Sequence, residues 1–255
     1  MQPFSYSNSP WAVREDLITA FRHTWEKLAH AGTWLTAAQR VAIAREVRNA
    51  QSCELCQTRK RALSPFAPDG DGDNEAAHDG EHEPLSDLQV DVAHRLATDA
   101  SRLTESWLKD QIENGLSQEE YVEILSIVVS TLAIDSFHHT LGYEPEPLPD
   151  SEPGEPSRRR PANAEPGKAW VPMVNVSAAA EADADMYAGL SRSANVITAM
   201  SLVPEAVRLL NVQSSAMYLS YNDVANPSKN GGRALTRPQI ELIAGRVSAL
   251  NDCFY

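Results

Sequence analysis

The sequence holds three cysteines, and two of them, Cys53 and Cys56, form a C-x-x-C pair. Residues three apart lie on one face of a helix, which brings the two sulfurs within reach of a disulfide. Ser52 is a suitable helix cap, so the pattern predicts a helix that begins at Cys53. Free backbone N–H groups and the helix dipole lower the pKa of a thiol in this position and favour the nucleophilic thiolate. The pair therefore predicts a dithiol that reacts with peroxides or disulfides.

The same sequence frame precedes Cys53 and Cys253. When these cysteines are aligned, the offset is 253 − 53 = 200, and residues 35–55 share seven identities with residues 235–255. Each frame opens with Leu-Thr-x-x-Gln, in which Thr and Gln form a capping box and Leu acts as a hydrophobic staple. Ser117 and Glu120 repeat the device before an apolar segment that runs from Tyr121 to Phe137. We expect a capped helix in each of these three places, with Thr36, Thr236 and Ser117 as the caps.

Two other interpretations of the C-x-x-C pair stay open. A zinc ion needs two more ligands, for which His94, His138 and His139 are the candidates, but adjacent histidines do not easily face one metal from a helix. The other interpretation is a pair of inert, buried thiols. We favour the redox dithiol, with no metal and no cofactor. We expect His94 to be structural and the remaining histidines to be solvated surface residues: His23, His30, His78 and His82.

Composition restricts the class of protein. The chain has 255 residues, a net charge of −13 and 42% hydrophobic residues, enough for one large domain or two ordinary ones. The negative charge argues against nucleic acid or an anionic membrane as the main partner. No apolar run approaches the roughly 18 residues of a membrane span. A polar N-terminus and few cysteines are typical of a cytoplasmic protein rather than a secreted, disulfide-bonded one.

Two polar stretches interrupt the helical pattern. The acidic residues 69–83 predict a solvated loop. Asp69, Asp71 and Asp73 imitate the start of a calcium loop, but Asn74 and Gly80 stand where that loop requires Gly and Glu. The proline-rich residues 143–168 predict an extended linker. We therefore expect one helical domain over residues 1–142 and a second over residues 169–255.

The second copy of the frame reads Gln239-Ile240-Glu241-Leu242-Ile243-Ala244 and then Val247-Ser248-Ala249-Leu250-Asn251-Asp252-Cys253-Phe254-Tyr255. These residues resemble the core motif of the alkylhydroperoxidase D-like proteins, which belong to the carboxymuconolactone decarboxylase superfamily. Members of the family are all-helical and usually oligomeric, and the redox branch uses a Glu, two cysteines and a His. The resemblance implies Glu241 as the relay acid and Cys253 as the first cysteine of a pair. We expect the second cysteine and the His to follow Tyr255 in a longer protein.

The first half resembles the same superfamily more loosely. It keeps Cys53 and Cys56, but Val41 replaces the relay Glu and Lys60 stands at the His position. Acid–base groups would then come from elsewhere in the chain, and a histidine is well suited to deprotonate a thiol. The candidates are Glu123, His138 and His139, together with Glu46, His94 and Asp135. In a structural alternative, His138 and His139 complement the C-terminal dipole of a helix.

These patterns and the resemblance together predict an all-α, homo-oligomeric protein with two alkylhydroperoxidase D-like helical domains joined by a proline-rich linker. The predicted function is a thiol-dependent peroxidase that reduces a hydroperoxide or another small molecule and is restored by a dithiol reductant. Two alternatives stay open, which are an acid–base enzyme of the carboxymuconolactone decarboxylase type and a non-catalytic oligomerisation domain. Neither nucleic acid nor membrane is expected as a partner.

Overall fold

The structure, a computed structural model, describes residues 3–62, 78, 80–187, 190, 193–251 and 253. Within these residues the secondary structure is helical and includes no strand, so the predicted all-α class is confirmed. The segment that imitates a calcium loop, including Asp69, Asp71, Asp73 and Asn74, lies outside the described residues. The α-helices are α1 (Glu15–Ala29), α2 (Ala37–Asn49), α3 (Glu54–Arg61), α4 (Asp87–Thr98), α5 (Glu105–Glu113), α6 (Gln118–Leu141), α7 (Asn195–Thr198), α8 (Pro204–Met217), α9 (Tyr221–Val224) and α10 (Arg237–Leu250).

The chain divides into two compact units. The first comprises Met1–Trp11 and Phe21–Arg160, and the second comprises Ala12–Ala20 and Pro161–Tyr255. Part of the proline-rich segment belongs to the first unit, because the backbone N–H of Glu152 donates to Ala29 O at 2.7 Å and that of Arg158 donates to Thr33 O at 2.8 Å. The arrangement as two domains of one family with a linker between them stays a prediction.

Helices α2, α4 and α6 pack against one another and form the core of the first unit. Burial of apolar side chains supplies most of the free energy of such a core, and these helices bury Ile43, Val47, Val90, Val92, Ala93, Val122, Ile124 and Ile127. Among the described residues, α6 is the helix long and apolar enough to cross a membrane. The core helix of a soluble protein meets the same criteria of length and composition.

Capping boxes begin α2, α6 and α10, as predicted from the sequence. Thr36 caps α2, Ser117 caps α6 and Thr236 caps α10, each with its Gln or Glu three residues later. The sequence analysis missed a fourth box, in which Ser86 and Gln89 open α4. Each box satisfies backbone N–H groups that the first helical turn leaves free, so it fixes where the helix begins. The position of α4 matters because it carries part of the site.

The two copies of the repeated frame have different environments. Ile43 of α2 is fully buried at 0% exposure, whereas its counterpart Ile243 in α10 is 52% exposed. Val47 and Val247 differ in the same way. In the first unit α4 and α6 cover α2, whereas the corresponding face of α10 is exposed in the described residues. The repeat therefore specifies a capped helix in both places but not its burial.

Candidate functional site

The C-x-x-C pair lies at the start of α3, one residue out of register with the prediction. Helix α3 begins at Glu54, and Cys53 itself occupies the N-cap position, so the expectation that Ser52 caps a helix from Cys53 was wrong. The hydroxyl of Ser52 instead donates to Asn49 O at 3.3 Å. The thiols still lie beside free N–H groups of a first helical turn, as the sequence indicated. Both are buried, with Cys53 4% and Cys56 2% exposed.

Two histidines meet these sulfurs. Nδ1 of His94 lies 3.3 Å from the Sγ of Cys56. Nδ1 of His78 lies 3.5 Å from the Sγ of Cys53 and 3.9 Å from the Sγ of Cys56. One donor atom from each of the four side chains lies within 4.8 Å of the other three. Two thiols and two imidazoles thus share one small site, to which α3 contributes Cys56, its N-cap position contributes Cys53, α4 contributes His94 and the segment before α4 contributes His78.

Each imidazole is oriented by a carboxylate on its other nitrogen. Nε2 of His94 lies 3.1 Å from Oε2 of the fully buried Glu46 in α2, and Nε2 of His78 lies 3.0 Å from Oδ1 of Asp91 in α4. A carboxylate oxygen can only accept, so it selects the tautomer with hydrogen on Nε2. The lone pair of a neutral ring is then on Nδ1, which faces the sulfurs.

The charges of the site favour an ionised Cys53 thiol. Burial alone would raise the pKa of the Cys53 thiol, but the backbone N–H of Cys56 and the ring of His78 outweigh it, and the pKa is lowered. Burial alone would also lower the pKa of His78, but Asp91 and the two thiols raise it to about 10. For His94 burial dominates over Glu46, and its pKa is lowered. His94 is therefore neutral at neutral pH, with a base available at Nδ1.

Helix α3 is bound by polar contacts to α4 and to Arg102, which follows α4. The guanidinium of Arg59, one turn after Cys56, forms an ion pair with Asp91. The guanidinium of Arg102 donates to Ala62 O at 2.8 Å and to Arg59 O at 2.7 Å. These carbonyls are at the C-terminal end of α3, where backbone acceptors have no helical partner. Asp91 therefore holds both His78 and α3, and it fixes the sulfurs relative to the rings.

The histidines predicted to face Cys53 from α6 lie elsewhere. His138 is buried, with Nε2 2.7 Å from the Tyr6 hydroxyl and Nδ1 2.8 Å from Glu144 O. His139 is exposed. Among the described contacts, neither ring meets the sulfur of Cys53 or Cys56, and the structural alternative for the pair stays a prediction. The reason is helical rotation, because the neighbouring positions point to different faces and His138 turns into an aromatic cluster with Phe4, Tyr6 and Tyr143.

Glu123 and Asp135 are also held by partners away from the thiols. Glu123 forms an ion pair with Arg40 and accepts from the backbone N–H of Trp34 at 2.6 Å. Asp135 accepts from Arg48 at 2.8 and 2.9 Å. Each carboxylate joins α6 to α2 or to the residues before it. Within the described residues, both carboxylates therefore make these contacts with other parts of the first unit and not with the thiols.

In the second unit Glu241 and Cys253 each have their own environment. The carboxylate of Glu241 accepts from the Tyr218 hydroxyl at 2.7 Å and pairs with Arg237, and these partners lower its pKa. The thiol of Cys253 is exposed beyond the end of α10. Twelve residues of helix span about 18 Å, so proximity of the two groups requires a reversal of the chain after α10. The role that the resemblance implies for this pair stays a prediction.

Sequence reasoning missed His78 and preferred a structural role for His94, although His94 was also among its acid–base and zinc-ligand candidates. The expectation that His78 and His82 are solvated was wrong, because both rings are largely buried beside Asp91 and Glu46. Their placement in an acid-rich stretch suggested exposure. The useful signal was the overlooked capping box at Ser86, since a helix from residue 87 has Asp91 and His94 three apart on one face.

Comparison with protein families, curated proteins and solved structures finds no match for this chain. The similarity to alkylhydroperoxidase D-like proteins therefore rests on the motifs of the sequence.

Proposed function

We propose that Cys53 and Cys56 form a redox dithiol that reduces hydroperoxides, with His94 as the acid–base group. One observation carries this proposal, namely the continuous contact from Glu46 through His94 to Cys56. A carboxylate, an imidazole and a nucleophile in this order form a relay that activates the nucleophile and stabilises the imidazolium. Lys60 stands where the family motif has its His, and in this proposal His94 supplies the base instead.

The first step oxidises Cys56. Nδ1 of His94 takes the thiol proton, and the thiolate of Cys56 attacks the terminal oxygen of the hydroperoxide. A sulfur–oxygen bond forms, the oxygen–oxygen bond breaks, and the leaving alkoxide takes the proton from His94 and departs as an alcohol. The product at Cys56 is a sulfenic acid.

The second step uses Cys53. Its thiolate attacks the sulfur of the Cys56 sulfenic acid, a disulfide forms, and the hydroxyl group leaves as water after it gains a proton. The two sulfurs have then lost the two electrons that the hydroperoxide gained. A dithiol reductant restores both thiols by disulfide exchange. The spacing of the cysteines and the proximity of their sulfurs to one histidine ring suit this step.

The burial of both sulfurs favours a second candidate, which is a non-catalytic role. Buried thiols in an apolar environment are inert toward oxidants. In that case a thiol-specific probe would modify the exposed Cys253 and would reach Cys53 and Cys56 only after denaturation. The peroxidase proposal instead requires that both react in the folded protein.

Thiol titration of the reduced, chelator-treated protein before and after a hydroperoxide tests the proposal. We expect the loss of two of the three free thiols, and Cys253→Ser should lose two as well. Cys56→Ser should form no disulfide, whereas Cys53→Ser should accumulate a sulfenic acid that a nucleophilic probe traps. If the parent, Cys56→Ser and Cys53→Ser consumed peroxide at equal rates with a dithiol reductant, the proposal would be contradicted.

His94→Gln tests the relay itself. Loss of a general base lowers the rate of thiol oxidation by about 10²-fold or more at neutral pH. The matched control is His139→Gln, which changes an exposed histidine. An unchanged rate in His94→Gln, with helicity preserved by circular dichroism, would remove His94 from the mechanism.

A further inference from the structure

We propose that the same four side chains, Cys53, Cys56, His78 and His94, form a tetrahedral zinc site. The proposal adds a metal-bound state to the dithiol of the proposed function. It rests on the geometry of the donor atoms and on the groups that orient them.

Three contacts between the donor atoms have lengths close to the edges of a zinc tetrahedron. With Zn–S of about 2.3 Å and Zn–N of about 2.0–2.1 Å, the edges are about 3.8 Å between sulfurs, about 3.5 Å between sulfur and nitrogen and about 3.3 Å between nitrogens. The observed contacts from sulfur to nitrogen are 3.3, 3.5 and 3.9 Å. All remaining pairs lie within 4.8 Å, so small movements of side chains suffice to complete the tetrahedron.

The outer contacts are those that zinc ligands require. A histidine that binds zinc usually donates its other N–H to a carboxylate or a carbonyl, which fixes the ring and makes it a better ligand. Both rings satisfy this condition, His94 through Glu46 and His78 through Asp91. A peroxidase relay needs one imidazole. The second imidazole, which has its own carboxylate partner, is explained by a metal.

The donor types select among metals. Two thiolates and two imidazoles in a buried tetrahedron suit Zn²⁺ and exclude Ca²⁺ and Mg²⁺, which prefer oxygen ligands. Four protein ligands fill the tetrahedron and leave no position for a catalytic water, so the site is of the structural kind. Its ligands come from α3, from α4 and from His78, and the ion would therefore fasten these parts of the first unit together.

Metal binding and disulfide formation use the same two sulfurs. Coordination to zinc withdraws electron density from a thiolate and slows its attack on a peroxide, and a disulfide leaves no thiolate to bind zinc, so the two states exclude each other. The inference rests on the proposed function in this respect alone, since the zinc site itself needs no peroxidase activity. Bound zinc would keep the thiols reduced, and its removal would expose them to oxidation.

Elemental analysis of the full chain, purified under reducing conditions and reconstituted with zinc chloride before exhaustive dialysis, is the direct test. We expect one zinc ion per chain. Cys56→Ser and His94→Gln should each lose it, whereas Cys253→Ser and His139→Gln should retain it. These controls match the variants in residue type and affect exposed side chains.

Cobalt gives a readout that does not depend on the variants. Co²⁺ titrated into the reduced, metal-free parent should saturate at one equivalent, with the strong visible absorption of a tetrahedral cobalt thiolate, and Zn²⁺ should bleach it. Weak octahedral absorption, or zinc well below one ion per chain after reconstitution, would overturn the site. Full zinc retention in Cys56→Ser and His94→Gln would overturn these ligands.

The same preparations separate this inference from the proposed function. Zinc-loaded and chelated protein are treated with hydroperoxide, and the disulfide is quantified in each. One zinc per chain without a disulfide in the chelated protein supports the site and contradicts the peroxidase. A disulfide in a protein that binds no zinc contradicts the site and leaves the peroxidase intact. Equal rates of oxidation with and without bound zinc would refute the exclusion between the two states.

Discussion

Replacement of Glu123 by Gln should destabilise the first unit strongly and leave the chemistry of the thiols unchanged. Glu123 is 2% exposed, and its carboxylate accepts from Arg40 and from the backbone N–H of Trp34. Gly32 permits this approach, because a Cβ there would lie 1.7 Å from Oε1 of Glu123. An amide in place of the carboxylate leaves the buried charge of Arg40 without its counter-charge.

The magnitude follows from burial. Removal of one partner of a buried ion pair costs about 3–5 kcal/mol, a large part of the roughly 5–15 kcal/mol that stabilises a typical domain. Since 1 kcal/mol shifts the midpoint by about 2–4 °C in a domain of 150–250 residues, we expect a decrease of about 6–20 °C. The control is Glu105→Gln, which breaks an exposed pair with Lys109 and should cost under about 1 kcal/mol.

Urea denaturation followed by circular dichroism measures the change, and a double variant checks the cause. Glu123→Leu combined with Arg40→Met removes both charges, and it should be less destabilised than Glu123→Leu alone because no unpaired charge stays buried. If Glu123→Gln unfolds within about 1 kcal/mol of the parent while peroxide-driven oxidation of the thiols falls, the structural assignment of Glu123 is wrong.

Two further predictions address the core and the aromatic cluster. Ile43→Ala should lower the free energy of unfolding by about 2–5 kcal/mol because it opens a cavity in a closed core. Ile243→Ala, at the equivalent but exposed position of the repeat, should lower it by less than about 0.5 kcal/mol. Equal losses of stability in urea denaturation would show that α10 is covered in solution. Tyr6→Phe removes the hydrogen bond to His138 and should cost about 0.5–1.5 kcal/mol with no effect on the rate of thiol oxidation, and a slower oxidation would return His138 to the list of catalytic candidates.

Local sequence was sufficient for the helices and for the cysteine pair. A capping box is read over four residues and a hydrophobic face over two or three turns, so the starts of α2, α6 and α10 and the all-helical class were predictable. The proximity of Cys53 and Cys56 follows from their spacing. The shift of the helix start from Cys53 to Glu54 shows the usual limit, since Ser52 and Cys53 compete for one cap.

The partners of the cysteines depend on the packing of distant helices. His94 follows Cys56 by 94 − 56 = 38 residues, and it reaches the thiol because α4 packs on both α2 and α3. The selection of His94 over His138 comes from the rotation of each helix about its axis, which the whole core sets. Likewise, Ile43 and Ile243 occupy equivalent positions of the repeated frame, but one is buried and the other exposed because burial depends on the neighbouring elements. The sequence alone therefore determined the helices and the reactive residue types, whereas long-range packing determined which of those residues meet.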